Sequence, residues 1–208
     1  MKVLAGIILF AGILTGYHFI MSHTSFTYEP APLPQTFDEY YKNQLANSKR
    51  LSARPNNEEK LIQYSTKTPI AILYIHGYGA SRAEGEYVID QVSKKFSYNT
   101  YYLRLPGFGT KPEDMGESTM RDLLTESTRA LMMMEKLGDK VMVVGTSMGG
   151  AIATYLAATY PEKIDSLVLC SPSYAFASPA ARLVTFYPLF KFMSIVSPIR
   201  ISSAPVPE

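Results

Sequence analysis

KVMVVGTSMGG, residues 140 to 150, is the stretch on which the reading of this chain turns. A run of branched apolar residues stops at Gly145, presents Ser147 and resumes with Gly149 and Gly150. The run has the composition of a strand covered on both faces of a sheet. The next segment, GAIATYLAATYP (150 to 161), has the composition of a helix closed by proline. Ser147 therefore falls on a strand-to-helix turn a few residues long. Glycines at 145 and 149 let the strand and helix backbones approach closely. The helix start aims unpaired N–H groups and a positive dipole end at the same point. Such a turn lifts one hydroxyl and sets the next backbone N–H, that of Met148, to receive negative charge, which is the nucleophile-elbow arrangement. No phosphate-loop pattern is present, and Ser147 stands where a dinucleotide fingerprint needs glycine spacing.

Outward from that turn, three more runs have strand character: IAILYIHG (70 to 77), YNTYYLRLPG (98 to 107) and IDSLVLCS (164 to 171). AEGEYVIDQVSKKF (83 to 96) and STMRDLLTESTRALMMMEKLG (118 to 138) have helical spacing, the second with Gly138 as its expected stop. Alternation of this kind predicts β-α-β units and a parallel sheet. The Met132–Met134 triplet reads as core filler and Cys170 as a small buried hydrophobe.

IHGYGAS (75 to 81) comes after the first strong strand. Gly77 and Gly79 allow a sharp turn there, and the Tyr78 N–H is the expected second donor to an oxyanion. His76 sits before that loop and is expected to order it through hydrogen bonds rather than serve as a base. LRLPGFGTKPED (103 to 114) is expected to form a rigid loop walling the same pocket.

The chain has 208 residues, 47% hydrophobic and 18% charged, so it can bury a substantial core. A net charge of +2 without an Arg/Lys stripe gives no nucleic-acid surface, and one cysteine gives no disulfide framework within the chain. Scattered histidines and no H-E-x-x-H give no metal site, and no cofactor is indicated. Four segments are expected. Residues 1–22 form a membrane anchor or signal segment, since the apolar run from Val3 to Met21 extends about 28 Å as a helix. Residues 23–60 are a linker and juxtamembrane region with Pro30, Pro32 and Pro34. Residues 61–173 hold the N-terminal part of the α/β core, and 174–208 begin a helical lid or insertion, cut short and rich in apolar and proline residues. An anchored chain with its domain outside the cytoplasm is the first expectation. A secreted or periplasmic form after signal cleavage is the alternative.

HGYG (76 to 79), RLPGFGTKPED (104 to 114), GTSMGG (145 to 150) and PEKIDSLVLCSP (161 to 172) resemble the α/β-hydrolase superfamily, in particular its monoacylglycerol lipase and bacterial carboxylesterase members. The resemblance covers roughly residues 68 to 175. It implies a doubly wound, mostly parallel sheet. It also implies Ser147 as nucleophile toward an ester carbonyl, oxyanion donors at Tyr78 and Met148, and a helical lid. The substrate implied is a small-molecule ester with an apolar acyl group.

Such a serine needs a base and an orienting carboxylate, which in this superfamily come after it in the chain. The histidines here are His18, His23 and His76, all before Ser147; the later carboxylates are Glu162, Asp165 and Glu208. None fits the missing roles. The expectation is a C-terminally incomplete hydrolase scaffold, inactive as 208 residues. An amidase or serine peptidase of the same fold, and a non-catalytic hydrolase-like binding protein, are the alternatives.

Overall fold

The computed structural model describes residues 2–22, 28, 32–175, 177, 178, 186, 188, 189 and 192. The chain divides into two compact units, Tyr28–Tyr174 and the two chain ends Met1–Thr27 with Ala175–Glu208.

In the larger unit, five strands form one sheet in the order β1-β3-β2-β4-β5. They are β1 (Lys60–Ile62), β2 (Thr68–Ile75), β3 (Asn99–Leu103), β4 (Gly138–Thr146) and β5 (Ser166–Cys170). Only β1 runs antiparallel, against β3; the other pairings are parallel. The parallel α/β sheet expected from the alternating runs is thus the observed architecture. The central strands are dry, as their unbroken apolar sequence requires: Ala71 to Ile75 and Tyr101 to Leu103 are at most 1% exposed.

The connecting helices are α2 (Phe37–Arg50), α3 (Ala83–Phe96), α4 (Pro112–Glu117), α5 (Met120–Met134) and α6 (Met148–Thr159); α1 (Lys2–Ser22) belongs to the other unit. Thr36 caps α2 by accepting from the Glu39 N–H, and Thr119 with Asp122 closes a capping box on α5. Phe37 and Tyr40 of α2 pack edge-on against Tyr101 of β3, with centroids 5.2 and 5.8 Å away. These contacts bring α2 into the core of the larger unit.

Three local expectations change. The segment 103–114 is not a loop throughout: Pro112 at the first helical turn and Asp114 accepting from the Lys111 N–H start α4. The fifth helix ends at Met134, and Gly138 opens β4, where a Cβ would lie 2.5 Å from the Ala71 backbone nitrogen. Close packing of two strands, not a helix stop, explains that glycine. Cys170 is exposed rather than buried, because β5 lies at the sheet edge and its residues alternate between exposed and half-buried. Met133 and Met134 are core residues, as expected.

Among the described residues no helix is long and apolar enough to cross a membrane. This contradicts the expected anchoring of the chain in a membrane through its N-terminal helix, both as its location and as a partner contact. The lid expected over 174–208 falls mostly outside the described residues.

Candidate active site

Sheet register places the site. Ile75 pairs with Leu103 and with Gly145, and Gly145 pairs with Leu169, so four parallel strands end in one row. The segments that leave them, starting at His76, Arg104, Ser147 and Ser171, share one rim. From β2 the chain crosses to β3 on one side, then to β4 on the other, so strand order reverses between β2 and β4. In open α/β sheets the crevice at such a switch point is the usual ligand site. The 76–79 loop and Ser147 flank it.

Ser147 is the N-cap of α6, at φ 52° and ψ −116°. That conformation is sparsely populated for a residue with a Cβ and costs about 1–3 kcal/mol. Four backbone hydrogen bonds hold it. The Ser147 N–H donates to Cys170 O at 2.9 Å, while its carbonyl accepts from Gly150, Ala151 and Ser173 at 3.0, 3.2 and 3.0 Å. The neighbouring backbones leave no room for side chains. A Cβ on Gly149 would lie 2.1 Å from Ile75 O, and one on Gly145 would lie 2.5 Å from Gly149 O. Gly77 touches the serine itself, since a Cβ there would lie 3.1 Å from Ser147 Cβ. The structure therefore brings the 76–79 loop and the Ser147 turn together.

The Ser147 side chain makes no cap bond to its helix. Among the described residues the N–H groups of Met148 and Tyr78 meet no acceptor. Gly77 differs: its N–H donates to Glu84 Oε2 at 2.8 Å, which removes it as a donor to a ligand. Gly79 takes the left-handed φ of 72° that lets the loop turn back. The Tyr78 ring is 62% exposed and lies edge-on to Phe108, centroids 5.7 Å apart. Phe108 packs in turn on the His76 ring at 5.4 Å. The 103–114 segment thus borders the loop through Phe108.

His76 is fully buried, and both ring nitrogens are engaged. Nε2 accepts from the Leu105 N–H at 3.2 Å, which leaves the proton on Nδ1, 2.8 Å from Gly77 O, to which it donates. Burial, opposed by the Gly77 carbonyl, pushes its pKa below the usual histidine value, so the ring is neutral at pH 7. This ring ties two loops together and has no nitrogen left to accept a proton from Ser147.

The later carboxylates lie elsewhere. Asp165 accepts from the Val141 N–H at 3.0 Å, at the beginning of β4 and so at the opposite end of the sheet from Ser147. Glu162 is exposed in a short turn of 3-10 helix. Glu208 lies outside the described residues. Among the described residues no group of His, Cys, Asp or Glu side chains could hold a metal ion.

Sequence reasoning misses Glu84. In the sequence it is one more polar residue of a helix, yet its Oε2 accepts from Gly77 N–H and, at 3.0 Å, from Tyr74 O–H. Tyr74 Oη lies 3.2 Å from Thr146 Oγ1. The one available signal is an acidic residue at the start of the helix after a glycine-rich strand exit.

A sequence model described as the alpha/beta hydrolase fold matches residues 70–195, more than half of the chain. The chain belongs to the α/β-hydrolase fold family. It is similar to a solved structure from LipS and LipT, two metagenome-derived lipolytic enzymes. Identity there is 27% and the TM-score 0.56, over 62% of this chain and 52% of that one. The monoacylglycerol lipase of Paleococcus ferrophilus shares the fold at 19% identity and a TM-score of 0.51, over 67% of this chain and 51% of that one. The chain spans about half the length of these solved relatives.

Proposed function

We propose that this chain carries the nucleophile and oxyanion half of a serine-dependent carboxylic ester hydrolase, and that no histidine or carboxylate of these 208 residues serves as its base and orienting acid. The observation that carries this reading is Ser147, held at a positive φ on a strand-to-helix turn beside the N–H groups of Tyr78 and Met148, which meet no acceptor among the described residues. Ser147 Oγ would attack the ester carbonyl carbon while its proton passes to a base. The N–H groups of Tyr78 and Met148 would bracket the carbonyl oxygen as it becomes negative. Loss of the alcohol, which takes up the proton, leaves an acyl-enzyme that water hydrolyses. The lipolytic relative at 27% identity supports an ester with an apolar acyl group as substrate.

The missing base explains why the chain alone is expected to turn over negligibly. His76 has both nitrogens occupied, and no histidine comes after Ser147. Added imidazole supplies a base and tests this directly. With a short p-nitrophenyl ester, the rate of the wild-type chain in imidazole should exceed that of Ser147→Ala by at least about tenfold, because general-base assistance contributes about 10²–10⁴. Equal rates for the two proteins in imidazole would contradict the nucleophile and favour a hydrolase-like binding protein. Turnover at about tens per second without imidazole, lost in Ser147→Ala, would contradict the missing base; median enzymes reach about 10 s⁻¹.

A further inference from the structure

We propose that Glu84 is a positioning residue for this site: its carboxylate fixes the Gly77 peptide, and so aims the Tyr78 N–H, through the same oxygen that anchors Tyr74 and Thr146 at the end of β4. The proposal rests on Ser147 being the nucleophile.

Glu84 stands in the first turn of α3, where an acidic side chain ordinarily serves the helix itself by facing its free N–H groups. Here the carboxylate bonds outside its helix. Oε2 accepts from the Gly77 N–H at 2.8 Å and from Tyr74 O–H at 3.0 Å. Tyr74 has one proton to give, and an ionised carboxylate only accepts. With Tyr74 donating to Glu84, the 3.2 Å contact at Thr146 runs from the threonine hydroxyl to Tyr74 Oη. Donors from the end of β2, the loop after it and the end of β4 therefore converge, directly or through Tyr74, on one oxygen. Thr146 immediately precedes Ser147.

The packing leaves this arrangement little slack. Tyr74 is 1% exposed, and a Cβ on Gly85 would lie 2.5 Å from its ring, so the tyrosine lies against α3. Gly77 is wedged between the two groups at issue: a Cβ there would lie 3.0 Å from Glu84 Oε1 and 3.1 Å from Ser147 Cβ. Rotation of the Gly77 peptide would break the bond to Glu84 and swing the next residue, Tyr78. A carboxylate so near a developing oxyanion would oppose it. Two donated hydrogen bonds and the positive end of α3 offset that charge.

The test compares Glu84→Ala and Glu84→Gln in the full chain by two readouts. The first is amide hydrogen exchange measured by NMR. Gly77 should exchange at least about tenfold faster in Glu84→Ala, with the slow amides of β2 and β4 unchanged, and stay protected in Glu84→Gln, whose amide oxygen still accepts. The second is the imidazole-dependent, Ser147-dependent ester rate. It should fall at least about tenfold in kcat with KM little changed in Glu84→Ala, and by no more than about threefold in Glu84→Gln. Loss of an oxyanion donor costs about 10²–10³ in comparable sites. Unchanged Gly77 exchange in Glu84→Ala, or an unchanged ester rate alongside faster exchange, overturns the proposal. If the wild-type chain shows no Ser147-dependent rate, the nucleophile reading fails, and the exchange data alone decide whether Glu84 holds the loop.

Discussion

At Ser147 the local rules of backbone preference are broken: a residue with a side chain sits at φ 52° where glycine would be comfortable. The surrounding glycines are the cost of that geometry, and they are testable. Gly149→Ala would push a methyl group to 2.1 Å from Ile75 O, so it should lower stability by about 3 kcal/mol or more. Urea unfolding monitored by circular dichroism measures this, and a change under about 0.5 kcal/mol would show that α6 is free to retreat from β2. His76 gives a pH test. Its folded pKa lies below the unfolded value, so the unfolded chain takes up the proton first. The stability it contributes is full above about pH 6.5 and is lost as pH falls below it. Glu59 and Glu126, raised by burial, act with the opposite sign. Comparison with His76→Gln isolates the histidine: the stability gap between wild type and variant should shrink from pH 7.5 to pH 5.5. A gap that widens would mean that the buried ring accepts a proton readily.

Among the elements, the rim loops are fastened to the sheet and to α2 by a buried ionic cluster. Arg104, just past β3, donates from Nε to Ser48 Oγ of α2 at 2.6 Å and from a terminal nitrogen to Phe108 O at 3.2 Å. Glu59 Oε1 lies 3.2 Å from Arg104 Nε without the alignment of a hydrogen bond, so that contact is chiefly Coulombic. Both side chains are at most 3% exposed. Arg104→Met would strand the Glu59 charge in the core and should cost about 3–5 kcal/mol, much of it recovered in the double variant with Glu59→Gln. Additive losses in the thermodynamic cycle would contradict a coupled pair. The strand-turn-helix around Ser147 was legible because its signals are contiguous: an apolar run, small residues and a helical stretch within 140–161. The Glu84–Tyr74–Thr146 chain was not, because it joins residues 10 and 72 positions apart that only the fold makes neighbours. Gly138 misled because one residue type serves both helix stops and close strand contacts, and sequence does not separate the two.

On the scale of the whole molecule, the described sheet ends at β5, a strand whose sequence SLVLC carries no charge. Val168 is 42% exposed there and Cys170 is exposed. An open groove of about 340 Å³, lined by Val88, Met142, Val144 and Val168 among others, continues that apolar surface across the face that holds α3. An uncharged sheet edge with apolar surface behind it favours pairing with another chain. Concentration-dependent self-association is expected by light scattering, and Val168→Lys should reduce it; scattering that is unchanged by the lysine would place the contact elsewhere. The parallel architecture was readable from alternating runs. The exposure of Cys170 was not, because burial on an edge strand depends on what lies beyond it.

The nucleophilicity of one hydroxyl decides whether this chain is half of a hydrolase, and peptide mass spectrometry after treatment with a p-nitrophenyl phosphonate in imidazole reads it most directly. The phosphonyl adduct is expected on Ser147 of the wild-type chain and absent from Ser147→Ala. An adduct spread over other serines, or retained in the alanine variant, would contradict the assignment.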